Sequence, residues 1–195
     1  MKAKINSIAL FGTSADPPTL GHQVLLSELT KIFPKVVTWA SDNPDKNHQI
    51  PLIKRTELLR ILVKKLSHPK LELVQELSSP RTINTLQKAF QLWPEADFSF
   101  VIGSDLALQI PKWRNVRSVL NKAKISIAIR DGWPINTQQL EDIQKLGGDI
   151  ELLPFNVPGS SSSNFRKKPQ EALVPSELIP KLLEENLYGF ADNKK

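Results

Sequence analysis

Short β-branched apolar runs alternate with amphipathic helical patterns along the whole chain, and this alternation constrains the fold more than any other feature. "INSIALF", "KVVTWAS", "KLELVQEL", "DFSFVIG", "ISIAIR" and "DIELLPF" read as strands. "HQVLLSELTKIF", "LIKRTELLRILVKKL", "TINTLQKAFQLW", "VRSVLNKA" and "TQQLEDIQKL" lie between them with helical spacing, and "SELIPKLLEENL" closes the chain as a helix. In the first helix Val24, Leu25, Leu29 and Ile32 fall on one face. Strands this apolar, each followed by a helix, predict an α/β fold: a doubly wound parallel sheet with helices on both faces. A chain of 195 residues suits one domain over 1–195, with the part from about residue 160 onward as a C-terminal helical subregion.

In such sheets ligands gather at the carboxyl ends of the strands. That gathers four loops on one rim: Gly12 to Gly21, the polar "SDNPDKNHQIP" from Ser41 to Ile50, Gly103 to Trp113, and Val157 to Arg166. Composition removes several chemistries from that rim. There is no cysteine, so disulfides, thiolate metal sites and a cysteine nucleophile are excluded. The net charge of +6 favours anionic partners, but the basic pairs Lys64-Lys65, Lys167-Lys168 and Lys194-Lys195 are scattered. They read as a solvated surface, not a nucleic-acid stripe. No apolar run approaches the ~18 residues of a membrane span. Lys2 and Lys4 precede only a short apolar run, so no signal peptide is expected, and a cytoplasmic protein is. Homo-oligomerisation is left open.

The first loop carries the most chemistry. Gly12 admits close approach of the backbone. Pro17 and Pro18 stiffen the segment and remove amide donors. Gly21-His22 opens the helix, where free N–H groups and the dipole favour anions, and where a histidine can donate to phosphate oxygens. A plain βα turn with a capping histidine would explain a lone Gly or Pro, but not the ordered combination G-x-x-x-D-P-P-T-x-G-H.

"GTSADPPTLGH" resembles the G-G-(T/S)-F-D-P-x-(H/T)-x-G-H signature of the H/T-x-G-H nucleotidyltransferase superfamily. Gly12, Ser14, Asp16, Pro17, Thr19, Gly21 and His22 match; Thr13 and Ala15 depart from it. "SSSNFRK" supplies the superfamily's second signature as Ser161, Ser162, Ser163 and Arg166. Serines at a helix start cap amides and bond phosphate, and an arginine one turn on can fork two phosphate oxygens. The resemblance implies a Rossmann-like sheet whose two motifs hold the ATP triphosphate while a nucleotidyl group passes to an acceptor phosphate.

The middle of the chain is similar to nicotinate-nucleotide adenylyltransferase. Gly103, Asp105, Trp113, Arg130 and Gly132 match that family's G-x-D, tryptophan and Arg-x-Gly, and "SSPRTINTL" resembles its Y-T-x-x-T-L segment, with Arg81 for the tyrosine. The resemblance, over about residues 5 to 190, implies adenylyl transfer from ATP to nicotinate mononucleotide, giving nicotinate adenine dinucleotide and pyrophosphate in NAD biosynthesis. It implies His22, Lys46 and Arg166 as the catalytic donors. It implies Gly12, Thr13, Ser14, Thr19, Gly21, Gly103, Asp105 and Ser161 to Ser163 as ATP-binding, and Asn43, Thr85, Trp113 and Arg130 as substrate-binding. Trp113 would stack on the pyridine ring while amides near Thr85 hold its carboxylate; Trp39 and Trp93 read as core. Mg²⁺ would ride on the ATP phosphates, with no protein cage. "NPDK", Asn43 to Lys46, is similar instead to a segment of pantetheine-phosphate adenylyltransferase, the alternative; a non-catalytic nucleotide-binding paralogue is the other. His48 is a further loop candidate, and His68 reads as structural.

Overall fold

The structure is a computed structural model, and residues 7–192 are described here. Ile5 and Asn6 of the first strand reading, with Lys2, Lys4 and Lys194-Lys195, lie outside the described residues. Six parallel strands form one sheet in the order β3-β2-β1-β4-β5-β6. They are β1 Ser7–Thr13, β2 Lys35–Ala40, β3 Leu71–Leu73, β4 Asp97–Gly103, β5 Lys124–Arg130 and β6 Ile150–Val157. The helices are α1 Leu20–Ile32, α2 Leu52–Leu66, α3 Thr82–Leu92, α4 Val116–Leu120, α5 Thr137–Lys145, α6 Ser162–Lys167 and α7 Ile179–Glu184. Among the described residues no helix is long and apolar enough to cross a membrane.

Strand alternation divides the core between the two faces. Ile8 and Leu10 of β1 point into a cluster with Leu86 of α3, Val119 of α4 and Ile143 of α5. Ala9 and Phe11 point the other way, against Leu25, Leu26 and Leu29 of α1 and Leu59 and Leu62 of α2. Full burial of each such leucine contributes about 1.5–3 kcal/mol. A third cluster joins Leu58 of α2 to Phe165 of α6 and to Leu178, Leu182, Tyr188 and Phe190 near the C-terminus.

Four local readings are corrected. On α1, Leu26 takes the core position read for Ile32, which sits at the last helical residue and is 45% exposed. β3 stops at Leu73 because the Gln75 side chain supplies the next rung: its Oε1 accepts the Ala40 N–H at 3.0 Å and its Nε2 donates to the Ala40 carbonyl at 2.8 Å. The backbone is thereby freed to curl into a 3₁₀ turn at Gln75–Leu77. The stretch from Ser104 to Lys112, read as loop, is a 3₁₀ helix. The closing helix is broken: a 3₁₀ turn at Ser176–Leu178 precedes α7, whose start is fixed by Pro180, a residue suited to the first helical turn and not to the interior.

β1 and β4 are neighbours, with the strand order running 1-2-3 to one side and 4-5-6 to the other. Loops leaving the carboxyl ends of β1 and β4 therefore diverge and open a crevice, the place where such sheets bind ligands.

Candidate active site

The crevice is built from the first loop outward. Thr19 caps α1, and the third helical residue is His22, so the reciprocal capping bond goes to an imidazole. The Thr19 N–H donates to His22 Nδ1 at 3.0 Å. Nδ1 is thus the acceptor nitrogen and Nε2 carries the proton, which it gives to Thr13 Oγ1 at 2.7 Å. Burial, reinforced by the charges of Arg130 and Lys46, pushes the His22 pKa down from 6.5 to about 3. The half-buried ring is therefore a neutral donor at the floor of the crevice.

The second signature is fastened to the same helix start. Gly21 N–H donates to Ser160 Oγ at 2.9 Å, and the Thr19 hydroxyl donates to the Ser160 carbonyl at 3.2 Å. A Cβ on Gly21 would come within 3.1 Å of the Pro158 carbonyl and 3.2 Å of Ser160, so the glycine allows this close approach without displacing the second motif by a few tenths of an ångström. Ser161 caps α6 through the Asn164 N–H at 3.0 Å, and the Ser162 hydroxyl donates to the Pro17 carbonyl at 2.7 Å. Arg166 Nη1 donates to the Asp16 carbonyl at 2.8 Å, while Nη2 reaches Ser163 Oγ at 3.3 Å. Arg130 joins this wall: its Nη1 pairs with Asp105 Oδ2 at 3.1 Å and its Nη2 donates to the Ser160 carbonyl at 2.6 Å.

These groups enclose a cavity of about 580 Å³. Its wall includes Gly12, Thr13, Ser14, Gly21 and His22 from the first motif. It also includes Ser161, Ser162, Ser163 and Arg166 from the second, with Gly103, Asp105 and Arg130 between them. A smaller cavity of about 180 Å³ lies beside it, with Thr85, Trp113, Arg81 and Thr82 in its wall. Gly12, Asn43 and Lys46 line both. Trp113 is half-buried; one edge meets Phe100 in a T-shaped contact at 5.9 Å while the indole also lines the smaller cavity. Trp39 is core, as read, and Trp93 is half-buried against it. His68 takes the structural place read for it, its Nδ1 accepting the Lys70 N–H at 3.3 Å.

Three placements differ from the sequence reading. Thr19 is fully buried and lines neither cavity, because its hydroxyl and amide serve the cap and Ser160. Arg130, read with the acceptor residues, stands on the larger cavity because its guanidinium is held by Asp105 and Ser160. The Thr85 hydroxyl donates to the Leu77 carbonyl and its N–H to the Arg81 carbonyl, so neither is available as a donor to a ligand. Gly12 has a second task besides ligand approach. It pairs in register with Trp39, and a Cβ there would stand 2.5 Å from the indole.

The sequence reading passed over Ser160, the joint between the two motifs, although it opens the serine run. It also passed over Trp133, 54% exposed on the larger cavity, and the cations Lys112 and Arg114 on the smaller one, where Arg81, read only as a departure from the Y-T-x-x-T-L segment, stands with them. Arg81 Nη1 pairs with Asp45 Oδ2 at 3.0 Å, joining the second loop to the start of α3.

The cytidylyltransferase-like family model matches residues 10–168. A Synechocystis sp. protein named "Probable nicotinate-nucleotide adenylyltransferase" is 35% identical over 93% of this chain and 98% of its own length. The nicotinate-nucleotide adenylyltransferase of Bacillus subtilis is 28% identical over 93% of this chain and 97% of its own. The fold is also that of Plasmodium falciparum nicotinic acid mononucleotide adenylyltransferase complexed with NaAD, at a TM-score of 0.79 and 23% identity over 95% of this chain and 98% of that one. With both motifs meeting at one crevice, the chain belongs to the nicotinate-nucleotide adenylyltransferases of the cytidylyltransferase-like family.

Proposed function

We propose that the protein transfers the adenylyl group of ATP to nicotinate mononucleotide, forming nicotinate adenine dinucleotide and releasing pyrophosphate, a step of NAD biosynthesis. The observation that carries this reading is the pair of adjoining cavities sharing Gly12, Asn43 and Lys46. ATP occupies the larger, with its triphosphate between the start of α1 and α6. The acceptor occupies the smaller, its pyridine ring against Trp113 and its phosphate at the shared wall.

The acceptor phosphate is already an anion, so the protein need supply neither nucleophile nor base. An acceptor oxygen attacks the α-phosphorus, the bond from that phosphorus to the bridging oxygen breaks, and the electron pair leaves with pyrophosphate. Positioning two substrates in one frame accounts for much of the rate. The rest comes from donors aimed at charge that builds in the transition state. His22 supplies a neutral Nε2–H, Lys46 a charge at the shared wall, and Arg166 a planar fork. Thr13 competes for the His22 proton, and a phosphate oxygen entering the cavity takes its place.

Among the described residues no group of three or more His, Asp or Glu could hold a metal ion. Asp105 and Asp45, the carboxylates in the cavity walls, are each paired to an arginine. That donor set fits Mg²⁺ carried in on the phosphates, where it neutralises part of their charge.

The test incubates the protein with ATP, Mg²⁺ and nicotinate mononucleotide and separates the products by chromatography. The dinucleotide and pyrophosphate should appear in equal amounts. ATP binding without either product would favour a nucleotide-binding protein that does not turn over.

A further inference from the structure

Arg166 is held from behind by a carboxylate that the reaction does not use. Asp16, in the first loop, is fully buried. Its Oδ1 accepts the Tyr188 hydroxyl at 2.8 Å, from 172 residues away in the chain. Its Oδ2 accepts the Gln49 N–H at 2.8 Å and lies 3.4 Å from Arg166 Nη1. That same arginine nitrogen donates to the Asp16 carbonyl. Tyr188 is buried in the C-terminal cluster, its ring edge-on to Phe165, the residue before Arg166, at 5.6 Å. Burial and the neighbouring Asp16 push its phenol far above the ordinary tyrosine range, so the group stays a donor.

We propose that Tyr188 is a positioning residue for Arg166, acting through Asp16; this rests on the larger cavity being the ATP site. A buried carboxylate must be satisfied on all sides. Tyr188 and the Gln49 amide do so with neutral donors. Arg166 then commits one nitrogen to Asp16 and keeps the other edge of its fork toward Ser163 and the cavity. Arg55, the other cation close by, is already bound to the carbonyls of Ser14, Ser41 and Ile50. Without the phenol hydroxyl, Arg166 is the cation left to turn inward and supply Oδ1. The fork then withdraws from the triphosphate. Because Gln49 closes the loop that carries Lys46, one side chain also links the C-terminal turn, both motifs and the second loop.

The experiment measures the Kd of a non-hydrolysable ATP analogue by calorimetry, steady-state constants for ATP and acceptor, and thermal melts. The proteins are wild type, Tyr188→Phe, Phe190→Leu, Arg166→Lys and the Tyr188→Phe/Arg166→Lys double variant. Phe190 stacks on Phe165 in the same cluster, at 5.7 Å, and controls for loosening of the C-terminal turn. Tyr188→Phe should raise the analogue Kd and the KM for ATP about tenfold, the scale of one lost hydrogen bond to a charged group. The KM for the acceptor should stay within about twofold. Phe190→Leu should lower the melting temperature at least as much, yet leave ATP constants within about twofold. The double variant should cost less than the product of the single effects, since both act on one guanidinium. ATP affinity unchanged in Tyr188→Phe would overturn the proposal, as would losses in both C-terminal variants that follow their melting temperatures, or effects that multiply. A wild-type protein that binds no analogue would instead refute the ATP site itself, and the proposal with it.

Discussion

The Thr19 amide donates to His22 Nδ1 at 3.0 Å, and this one bond decides what the histidine can do. With Nδ1 occupied as an acceptor, the ring presents Nε2–H to Thr13 Oγ1 and to the cavity. The capping bond that starts α1 therefore also fixes the tautomer needed to donate to an anion. Folding and chemistry use the same contact.

Replacing His22 with alanine removes a preorganised donor from the site of developing charge. Turnover should fall about 10²–10³-fold, the usual cost of one such donor. The melting temperature should fall as well, because the reciprocal cap is lost along with the donor. Steady-state kinetics beside a thermal melt separate the two, and near-normal turnover would remove His22 from the reaction.

The depressed pKa of His22 predicts a pH dependence of definite sign. In the unfolded chain the imidazole titrates near 6.5; in the fold it titrates near 3. Between these values the unfolded state binds more protons, so stability rises with pH. The contribution is complete above pH 6.5 and is lost as pH falls toward 3. Melts of the wild type and His22→Asn over pH 4 to 8 should converge as the pH drops; the other histidines are common to both and cancel. Curves that stay parallel would show that His22 is not held neutral.

Gly12→Ala tests the other duty of the first motif. The new methyl would meet the Trp39 indole at 2.5 Å, near the carboxyl ends of two paired strands. The ring must shift, and overpacking of this kind costs about 1–3 kcal/mol. Denaturant unfolding should show the loss, and near-ultraviolet circular dichroism should show a changed tryptophan environment. An unchanged midpoint would mean that the ring moves without cost.

The strands were legible because β1, β2, β4 and β5 are buried on both faces and so read as mostly apolar runs, interrupted only by small polar residues such as Thr38, Ser99 and Ser126. The first motif was legible because its ordered glycines, prolines and histidine at a helix start have few structural explanations together, and the serine run with its arginine was legible only beside it. What the sequence could not carry were contacts made by one atom over long separations. The Asp16–Tyr188 bond spans 172 residues and follows from no local pattern. The substitution of Gln75 for a backbone rung and the break before Pro180 depend on what lies beside them in the sheet and the C-terminal cluster. Thr19 matched a motif position associated with phosphate, but its hydroxyl reaches the Ser160 carbonyl of the other motif instead.

The central claim is adenylyl transfer to an acidic pyridine mononucleotide, and the direct measurement is pyrophosphate release with ATP, Mg²⁺ and three acceptors. These are nicotinate mononucleotide, nicotinamide mononucleotide and phosphopantetheine. The smaller cavity offers Arg81, Lys112 and Arg114 beside Trp113, a cationic setting in which a carboxylate is favoured over a carboxamide. A site built for one set of hydrogen bonds can reject a mismatched analogue by as much as about 10⁴-fold. Nicotinate mononucleotide should therefore give the highest kcat/KM, nicotinamide mononucleotide a far lower one, and phosphopantetheine none. Trp113→Ala should impair both mononucleotides while leaving the KM for ATP within about twofold, since the ring stack is common to them. A clear preference for phosphopantetheine, or release that ignores the acceptor supplied, would contradict the account.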